Sequence, residues 1–531
     1  MSAMVVIPTN GHTRRRVLVD RVNSVLSNRV HNGVSLLSPC MVRARMLITA
    51  LQDEQYLVRW KTDEKTTNPP LSWHSIRELV RCLEHVQDYL DSREKLKAPD
   101  HTQRKRKCPD SGVEDQRRSS PFDRRLHQES RTPSRSRSPS VSSTVLPAPP
   151  VDIYNGVLDA NEYGYIFCHY ASGDDIPQLD IRTIPTPDMA RIAQQSSVDK
   201  ALTYIRNEYI RRLAKVPGIN GKAIHLINWV DSSTPSLRFR YISEHVLGQG
   251  VYRASKDSMV GCTQCLPNMG REIGCEYTKK CDCLEYAAVD ESRLNDAQRD
   301  EYNYALATGG STIGFPKKFP YFAMGTKKER EGCLVPFYLN SRRPIYECND
   351  KCHCGPYCRN KNVQFGRQVQ VEIFRANDGR GWGLRCKEDV QEGQFIDTYR
   401  GEVITDAEAT RRENASSKAK ASYLYSLDKF AESEGLDESD LYVVDGEFMG
   451  GPTKFINHSC ESNCRQYTVS YNKHDVKVYD IAFFACRFIP SGEELTFDYL
   501  DKDEEDPMDE PGEDAIPCLC GAEKCRKWLW T

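Results

Sequence analysis

Hydrophobic positions in this chain come in short runs, which predicts many short strands and few helices. Gln55-Tyr56-Leu57-Val58-Arg59-Trp60 alternates and is rich in strand formers. Arg45-Met46-Leu47-Ile48 reads as its hairpin partner. After a turn at Ser72-Trp73-His74, the residues Ile76, Leu79, Val80, Leu83, Val86 and Leu90 recur at helical spacing. Leu202, Ile205, Tyr209 and Leu213 mark a packing helix over Ala201–Lys215, stopped by Val216-Pro217-Gly218. Val369, Val371 and Ile373 alternate with polar residues as a half-buried strand does. Tyr399-Arg400-Gly401-Glu402 ends the next strand, and Thr405 with Glu408 is a capping box opening a helix to about Lys420. Ser422–Asp428, Val476–Phe488 and Glu493–Tyr499 read as further strands. No apolar run approaches the ~20 residues of a membrane span, so no membrane partner is expected.

Length and charge refine this picture. A chain of 531 residues is too long for one ordinary domain, so three or four units are expected. The net charge of −2 names no partner, but its distribution is uneven. Residues 1–37 are polar and basic without a clear pattern and are expected to be disordered. Residues 93–150 are rich in Ser, Pro and Arg, with an R-S-R-S-P repeat in Arg131–Ser140, and cannot bury enough apolar surface to fold. Within this linker, 101–140 carries eleven Lys/Arg against five Asp/Glu and suits sequence-independent contact with nucleic-acid phosphates. Arg104-Lys105-Arg106-Lys107 fits a nuclear-import signal; the bland alternative is a solvated basic run. Asp501–Asp514 holds nine acidic residues and one lysine, a solvated run, an attractant for a basic tail or a mobile cover on the site.

There are 21 cysteines and no charged-then-apolar leader, which favours metal ligands over disulfides and a reducing, intracellular compartment. Cys262, Cys265, Cys275, Cys281 and Cys283 form one group, and Cys348, Cys352, Cys354 and Cys358 a second. Nine thiolates suit neither one tetrahedral zinc nor two, but three zinc ions sharing ligands need six terminal and three bridging sulfurs. Cys518, Cys520 and Cys525 leave a further zinc one ligand short, and Cys460 is the natural fourth. Both sites are all-thiolate and structural, and zinc binding would supply folding free energy to loop-rich segments. The other eight cysteines (40, 82, 108, 168, 333, 386, 464, 486) read as ordinary thiols.

Two stretches carry the candidate chemistry: Phe455-Ile456-Asn457-His458-Ser459-Cys460, and Phe497-Asp498-Tyr499 about forty residues later. Gly379-Arg380-Gly381-Trp382-Gly383-Leu384 precedes them. A dinucleotide site would need a long helix after these glycines; a short strand and a turn follow instead, so the glycines serve close backbone approach to another ligand.

Together with the five-plus-four cysteine pattern and Ile345-Tyr346-Glu347-Cys348-Asn349, these motifs resemble the fungal-type, suppressor-of-variegation class of histone H3 lysine-9 methyltransferases over about 260–531. The resemblance implies an α+β, mainly β, SET fold of short strands with a pseudoknot. Its parts would be a packing region at 151–259, a pre-SET three-zinc cluster at 260–362, the SET domain at 363–500, an acidic loop at 501–516 and a post-SET zinc site at 517–531. The methyl donor would be S-adenosylmethionine, held by Arg380, Gly381, Trp382, Tyr423, Asn457, His458, Leu529 and Trp530, with Lys454 where relatives often carry Arg. Tyr499 and Tyr399 would position the substrate amine, Asp428 would meet the substrate, and Phe497, lacking a hydroxyl, would permit di- and trimethylation. The implied partners are the histone H3 tail in the nucleosome and chromatin-silencing proteins, in the nucleus. Residues 38–92 resemble a chromodomain, best at Tyr56–Trp60. Trp60 sits where a methyl-lysine cage ring belongs, but Asp63 replaces a second ring and 38–50 supplies none, which favours a chromo-like fold used for protein or RNA contacts. The rival readings are a methyltransferase with another lysine target and a non-catalytic zinc scaffold.

Overall fold

The computed structural model describes residues 22–32, 52–60, 71–97, 158–160, 166–168, 187–216, 223–266, 275, 281–323, 328–415, 423–471, 474–501 and 515–530. The chain divides into two units, Met1–Ala201 and Leu202–Thr531. The division falls inside the helix Asp199–Leu213, well beyond the boundary expected at residue 150.

In the first unit Val22–Asn32, Gln52–Trp60 and Leu71–Ser75 form an antiparallel sheet with Gln52–Trp60 in the middle. Tyr56, Leu57 and Val58 are buried in succession, so both faces of the central strand are covered. This corrects the expectation at the N-terminus: Val22–Asn32 is a strand, although 1–37 showed no pattern. The strand is irregular in register between Val22 and Ser24 and between Val25 and Ser27. Such irregularities break the alternation by which a strand is recognised. The expected partner Arg45–Ile48 lies outside the described residues, as do Asp63, the linker 98–150 with Arg104–Lys107, and the side chains of Trp60 and Trp73. Ser72-Trp73-His74 is strand rather than turn. The helix begins only at Leu83, after a 3-10 turn at Val80–Cys82, and reaches Lys97, past the expected start of the linker. Ile76, Leu79, Leu83, Val86 and Leu90 are buried; Val80 is 42% exposed, because it lies in the 3-10 turn and not on the helical face. Buried Glu54 accepts the backbone N–H groups of Lys200 and Ala201 at 2.8 and 3.0 Å, so a carboxylate meets the positive end of Asp199–Leu213.

The second unit is built of small sheets. One has the order Ile345–Glu347, Cys464–Tyr471, Asp480–Ala485, Phe395–Tyr399. A second has the order Leu424–Ser426, Tyr442–Asp445, Glu402–Thr405, Val246–Leu247. A third sets Val371–Arg375 between Trp382–Cys386 and Ile224–Ile227. Every residue of Asp480–Ala485 and of Phe395–Tyr399 is buried, and Tyr321, Leu334, Ile345, Val469 and Phe484 pack in one core beside them. Thr405 caps the helix Asp406–Asn414 by accepting the Glu408 N–H, but the box is half-formed: the Glu408 carboxylate turns to Arg411 and Arg412. That helix ends at Asn414 rather than near Lys420, and residues 416–422 and 502–514 lie outside the described set. Among the described residues no helix is long and apolar enough to cross a membrane.

Candidate active site

Two very short strands bring the two chemical motifs together. Asn457–His458 and Thr496–Phe497 pair in parallel, with Asn457 opposite Thr496 and His458 opposite Phe497. The Ser459 N–H extends the pairing to the Phe497 carbonyl at 3.1 Å. Tyr499 is then fixed twice: its backbone N–H donates to His458 Nδ1 at 3.2 Å and its phenol donates to the Ile456 carbonyl at 2.9 Å. Tyr399 ends the buried strand Phe395–Tyr399, and its phenol donates to the Tyr423 carbonyl at 2.8 Å. Burial pushes both phenols above their usual range, so both stay protonated. Each spends its one proton on a carbonyl, which leaves the oxygen lone pairs as acceptors. Phe497 packs between Phe483 and Tyr499, with ring centroids 4.8 and 4.7 Å away.

Two of the residues expected at the methyl donor, Arg380 and Asn457, meet on one carboxylate, and Asn457 also reaches Trp382. Gly379 and Gly381 turn with φ of 89° and 90°, which favours glycine, and deliver Trp382 to the start of Trp382–Cys386. Asn457 Nδ2 donates to the Trp382 carbonyl at 3.2 Å and to Glu494 Oε1 at 2.7 Å. Arg380 reaches the other Glu494 oxygen at 2.8 Å. Glu494 was not singled out in the sequence, where it stands beside Glu493 as one of two acids before a strand. Only in the fold do they part, Glu493 pairing with Arg487 and Glu494 joining Arg380 to Asn457. Gly383 packs tightly here: a Cβ would stand 2.7 Å from the Phe374 ring and 2.8 Å from Glu494.

Three further residues expected at the cofactor make contacts of their own within the protein. His458 accepts from Tyr499 at Nδ1 and turns Nε2 to Cys460 Sγ at 3.4 Å, so its ring joins the tyrosine to the cysteine tail. Burial pushes its pKa down to about 4. Lys454 donates to the carbonyls of Gly446, at 3.3 Å, and Glu447. Leu529 is half-buried on the strand Trp528–Trp530, paired with Ile516–Pro517, and the side chain of Trp530 lies outside the described residues.

On the other side of Tyr499 opens a cleft of about 790 Å3 lined by Tyr425, Asp428, Gln466 and Tyr499. Asp406, Glu413, Asp428 and Asp501 face it against Arg342 and Lys429, an acidic balance. A basic peptide would be attracted there.

The cysteines converge as expected. Cys262, Cys275, Cys281 and Cys283 form one group, Cys275, Cys348, Cys354 and Cys358 a second, and Cys283, Cys348 and Cys352 a third. Cys275, Cys283 and Cys348 each recur in two groups, as a sulfur shared between two ions must. Cys265 joins through Cys281 at 3.3 Å. Sulfurs about 2.3 Å from a central zinc lie about 3.8 Å apart. The contacts between cysteines run from 3.3 Å (Cys275 to Cys348) to 4.0 Å (Cys348 to Cys358), so the donors fit tetrahedral zinc. Cys460, Cys518, Cys520 and Cys525 form the separate tail group. Arg526, next in the chain, forks onto Asp498, beside Tyr499. Cys333 is buried outside every group.

Comparison with known proteins places the chain in a family. Residues 381–500 match the SET domain and 217–361 the Pre-SET motif. The chain is 38% identical over 314 residues to the H3 lysine-9 specific histone-lysine N-methyltransferase KMT1 of Fusarium mangiferae, covering 58% of this chain and 88% of that protein. It is 37% identical over 318 residues to the H3 lysine-9 specific enzyme dim-5 of Neurospora crassa, with the same coverage. It is 34% identical to SUV39H1 of Xenopus laevis, covering 59% of this chain and 66% of that protein. The solved structure of Neurospora DIM-5 aligns with 54% of this chain and 98% of its own, at 34% identity and a TM-score of 0.43. The chain belongs to the SUV39 class of histone H3 lysine-9 specific histone-lysine N-methyltransferases.

Proposed function

We propose that this chain transfers methyl groups to lysine 9 of histone H3 at Tyr499 and Tyr399, adding two or three, and that it does so on nuclear chromatin in heterochromatin formation. The observation that carries the site assignment is the pair of buried phenols with their protons committed to the Tyr423 and Ile456 carbonyls. S-adenosylmethionine supplies an electrophilic methyl group on sulfonium sulfur. The left-handed turn at Gly379–Gly381, half-buried Trp382, Asn457 and Tyr423, and the Glu494 carboxylate held by Arg380 and Asn457 fit such a ligand. Asn457 and Trp382 orient the donor from their own strands.

The apolar rings of Phe497 and Phe483 disfavour a charged ammonium and lower its pKa, so the amine reaches the site neutral. The Tyr499 and Tyr399 oxygens accept its N–H groups and aim its lone pair along the reaction axis, a positioning effect worth several kcal/mol. No strong base is needed beside the methyl group, because the methylated ammonium gives its proton to solvent before the next transfer, and the phenols stay protonated throughout. Phe497 offers no hydroxyl to hold water beside the amine, which leaves room for successive methyl groups. The acidic cleft with Asp428 suits the basic histone tail. The basic linker 101–140 is a second contact, to nucleic acid.

The test is mass spectrometry of an H3-tail peptide after reaction, beside a peptide with arginine in place of lysine 9. The expected result is two or three methyl groups on the first and none on the second. Equal methylation of both peptides would move the target to another lysine.

A further inference from the structure

A cleft of about 680 Å3 opens in the second unit away from the residues that the proposed reaction uses. Residues 237–246 form one wall, and the end of the helix Asp199–Leu213 with Lys215 and Val216 forms the other. The first wall is set by alternation: Leu237 and Phe239 are buried, and Arg238 and Arg240 are exposed. Phe239 meets the Phe455 ring edge-on at 6.2 Å, directly before Ile456-Asn457-His458. The two arginines therefore stand on the outer side of a segment whose inner side packs behind the catalytic motif. That segment is fixed along its length. The Arg240 N–H donates to the Phe448 carbonyl at 2.8 Å and the Ile242 N–H to the Gly450 carbonyl at 3.0 Å. The helix is tied to it twice: Arg212 donates to the Leu237 carbonyl, and the Tyr209 and Tyr241 hydroxyls share a hydrogen bond of 2.6 Å.

Arg212, Lys215, Arg238 and Arg240 line this cleft, and Glu244 is the one carboxylate among the described residues that do. Arg212 has a structural role, paired with Glu208 at 2.8 Å and placed where a cation offsets the helix dipole. Arg238 and Arg240 belong to no helix, and among the described residues no carboxylate pairs with Lys215 or Arg240. A cleft lined by one sign of charge concentrates ions of the other sign, and cations spread over two fixed walls suit a ligand with repeated negative charge. The histone tail that the reaction needs is joined to a particle wrapped in duplex DNA, so a phosphate backbone arrives with the substrate. We infer that this cleft is a docking surface for the phosphate backbone of nucleosomal DNA, with Lys215, Arg238 and Arg240 as its contacts. The inference rests on the proposed use of histone H3 and deepens it: the tail enters the acidic cleft at Asp428, and the DNA that carries it is held here. Contacts to phosphate fix position without reading sequence, so the cleft would serve any nucleosome.

The test uses the full zinc-loaded chain, S-adenosylmethionine, an H3-tail peptide, reconstituted nucleosomes and a bare DNA duplex. Arg238→Gln combined with Arg240→Gln removes two charges and keeps polar side chains. Its KM for nucleosomes should rise about tenfold at low salt, while kcat/KM on the peptide, which carries no phosphate, should stay within about twofold of wild type. Each phosphate contact adds about 0.9 to the slope of log affinity against log salt, so the slope for the duplex should flatten by about two. Lys215→Gln, on the other wall, should flatten it by about one, and reads the cleft even if the arginine variant misfolds. Equal losses on peptide and nucleosome would make the arginines supports of the fold and overturn the inference. Nucleosome KM and salt slopes unchanged in both variants would overturn it too, leaving DNA contact to the linker 101–140. A loss confined to single-stranded RNA would overturn it by assigning the cleft to another partner. Failure of the wild-type chain to methylate the peptide would instead count against the proposed function, and the duplex slopes would still decide the inference.

Discussion

At the scale of single residues, Tyr399, Phe497, Tyr499 and Glu494 differ in what a substitution removes. Phe497 contributes shape alone, packed against Phe483 and Tyr499. Phe497→Tyr adds a hydroxyl that holds water in the amine's path, so mass spectra of the H3 peptide should shift from the higher methylation states toward one methyl group. Glu494 contributes charge, accepting from Asn457 and Arg380. Glu494→Gln keeps the outline and weakens both bonds, so S-adenosylmethionine should bind about tenfold more weakly by calorimetry. The two tyrosines and Asn457 stand out in the sequence because their motifs are compact. Glu494 does not, because its partners lie far from it along the chain and nothing in a Glu-Glu pair tells which one turns inward. The contact of His458 with Cys460 was not legible, since Cys460 looked only like a metal ligand.

At the scale of elements, the site depends on close approaches that no side chain survives. Gly446 lies against the Tyr399 hydroxyl and Gly401 against the Asp445 carbonyl, where a Cβ would stand 2.2 Å away. Gly446→Ala should cost about 1–3 kcal/mol of stability by overpacking, measured by denaturant unfolding, and should lower kcat. Adding Tyr399→Phe removes the clashing oxygen and should restore part of the stability but none of the activity. Strands with clean alternation, such as that around Val371 and Ile373, were readable from the sequence. Val22–Asn32 was hidden by its irregular register, and Ile76–Leu90 was read as one helix although a 3-10 turn at Val80–Cys82 starts it late. Period and propensity register which residues are buried, but not the local breaks that tertiary packing imposes.

At the scale of the whole chain, the catalytic unit is held by sulfur. Cys275, Cys283 and Cys348 each belong to two cysteine groups, and Cys460 ties the tail to the strand that carries Asn457 and His458. Metal analysis should find four zinc ions per chain, three in the nine-cysteine cluster and one in the tail. Cys460→Ser should lose one ion and most activity while the cluster keeps its three, because the Arg526–Asp498 pair then no longer docks the tail beside Tyr499. Strong chelation should unfold the cysteine-rich region, visible as loss of cooperative melting. The cysteine count and spacing made this legible in advance; which sulfurs bridge required the fold. The central claim is that a neutral amine is aimed at the methyl donor by the Tyr499 hydroxyl. It is tested most directly by single-turnover methylation of an H3-tail peptide by the zinc-loaded wild-type chain and by Tyr499→Phe. The expected result is methylation at lysine 9 by the wild type and a loss of about a hundredfold in the variant, with zinc content unchanged. A variant that transferred methyl groups at the wild-type rate would contradict the account.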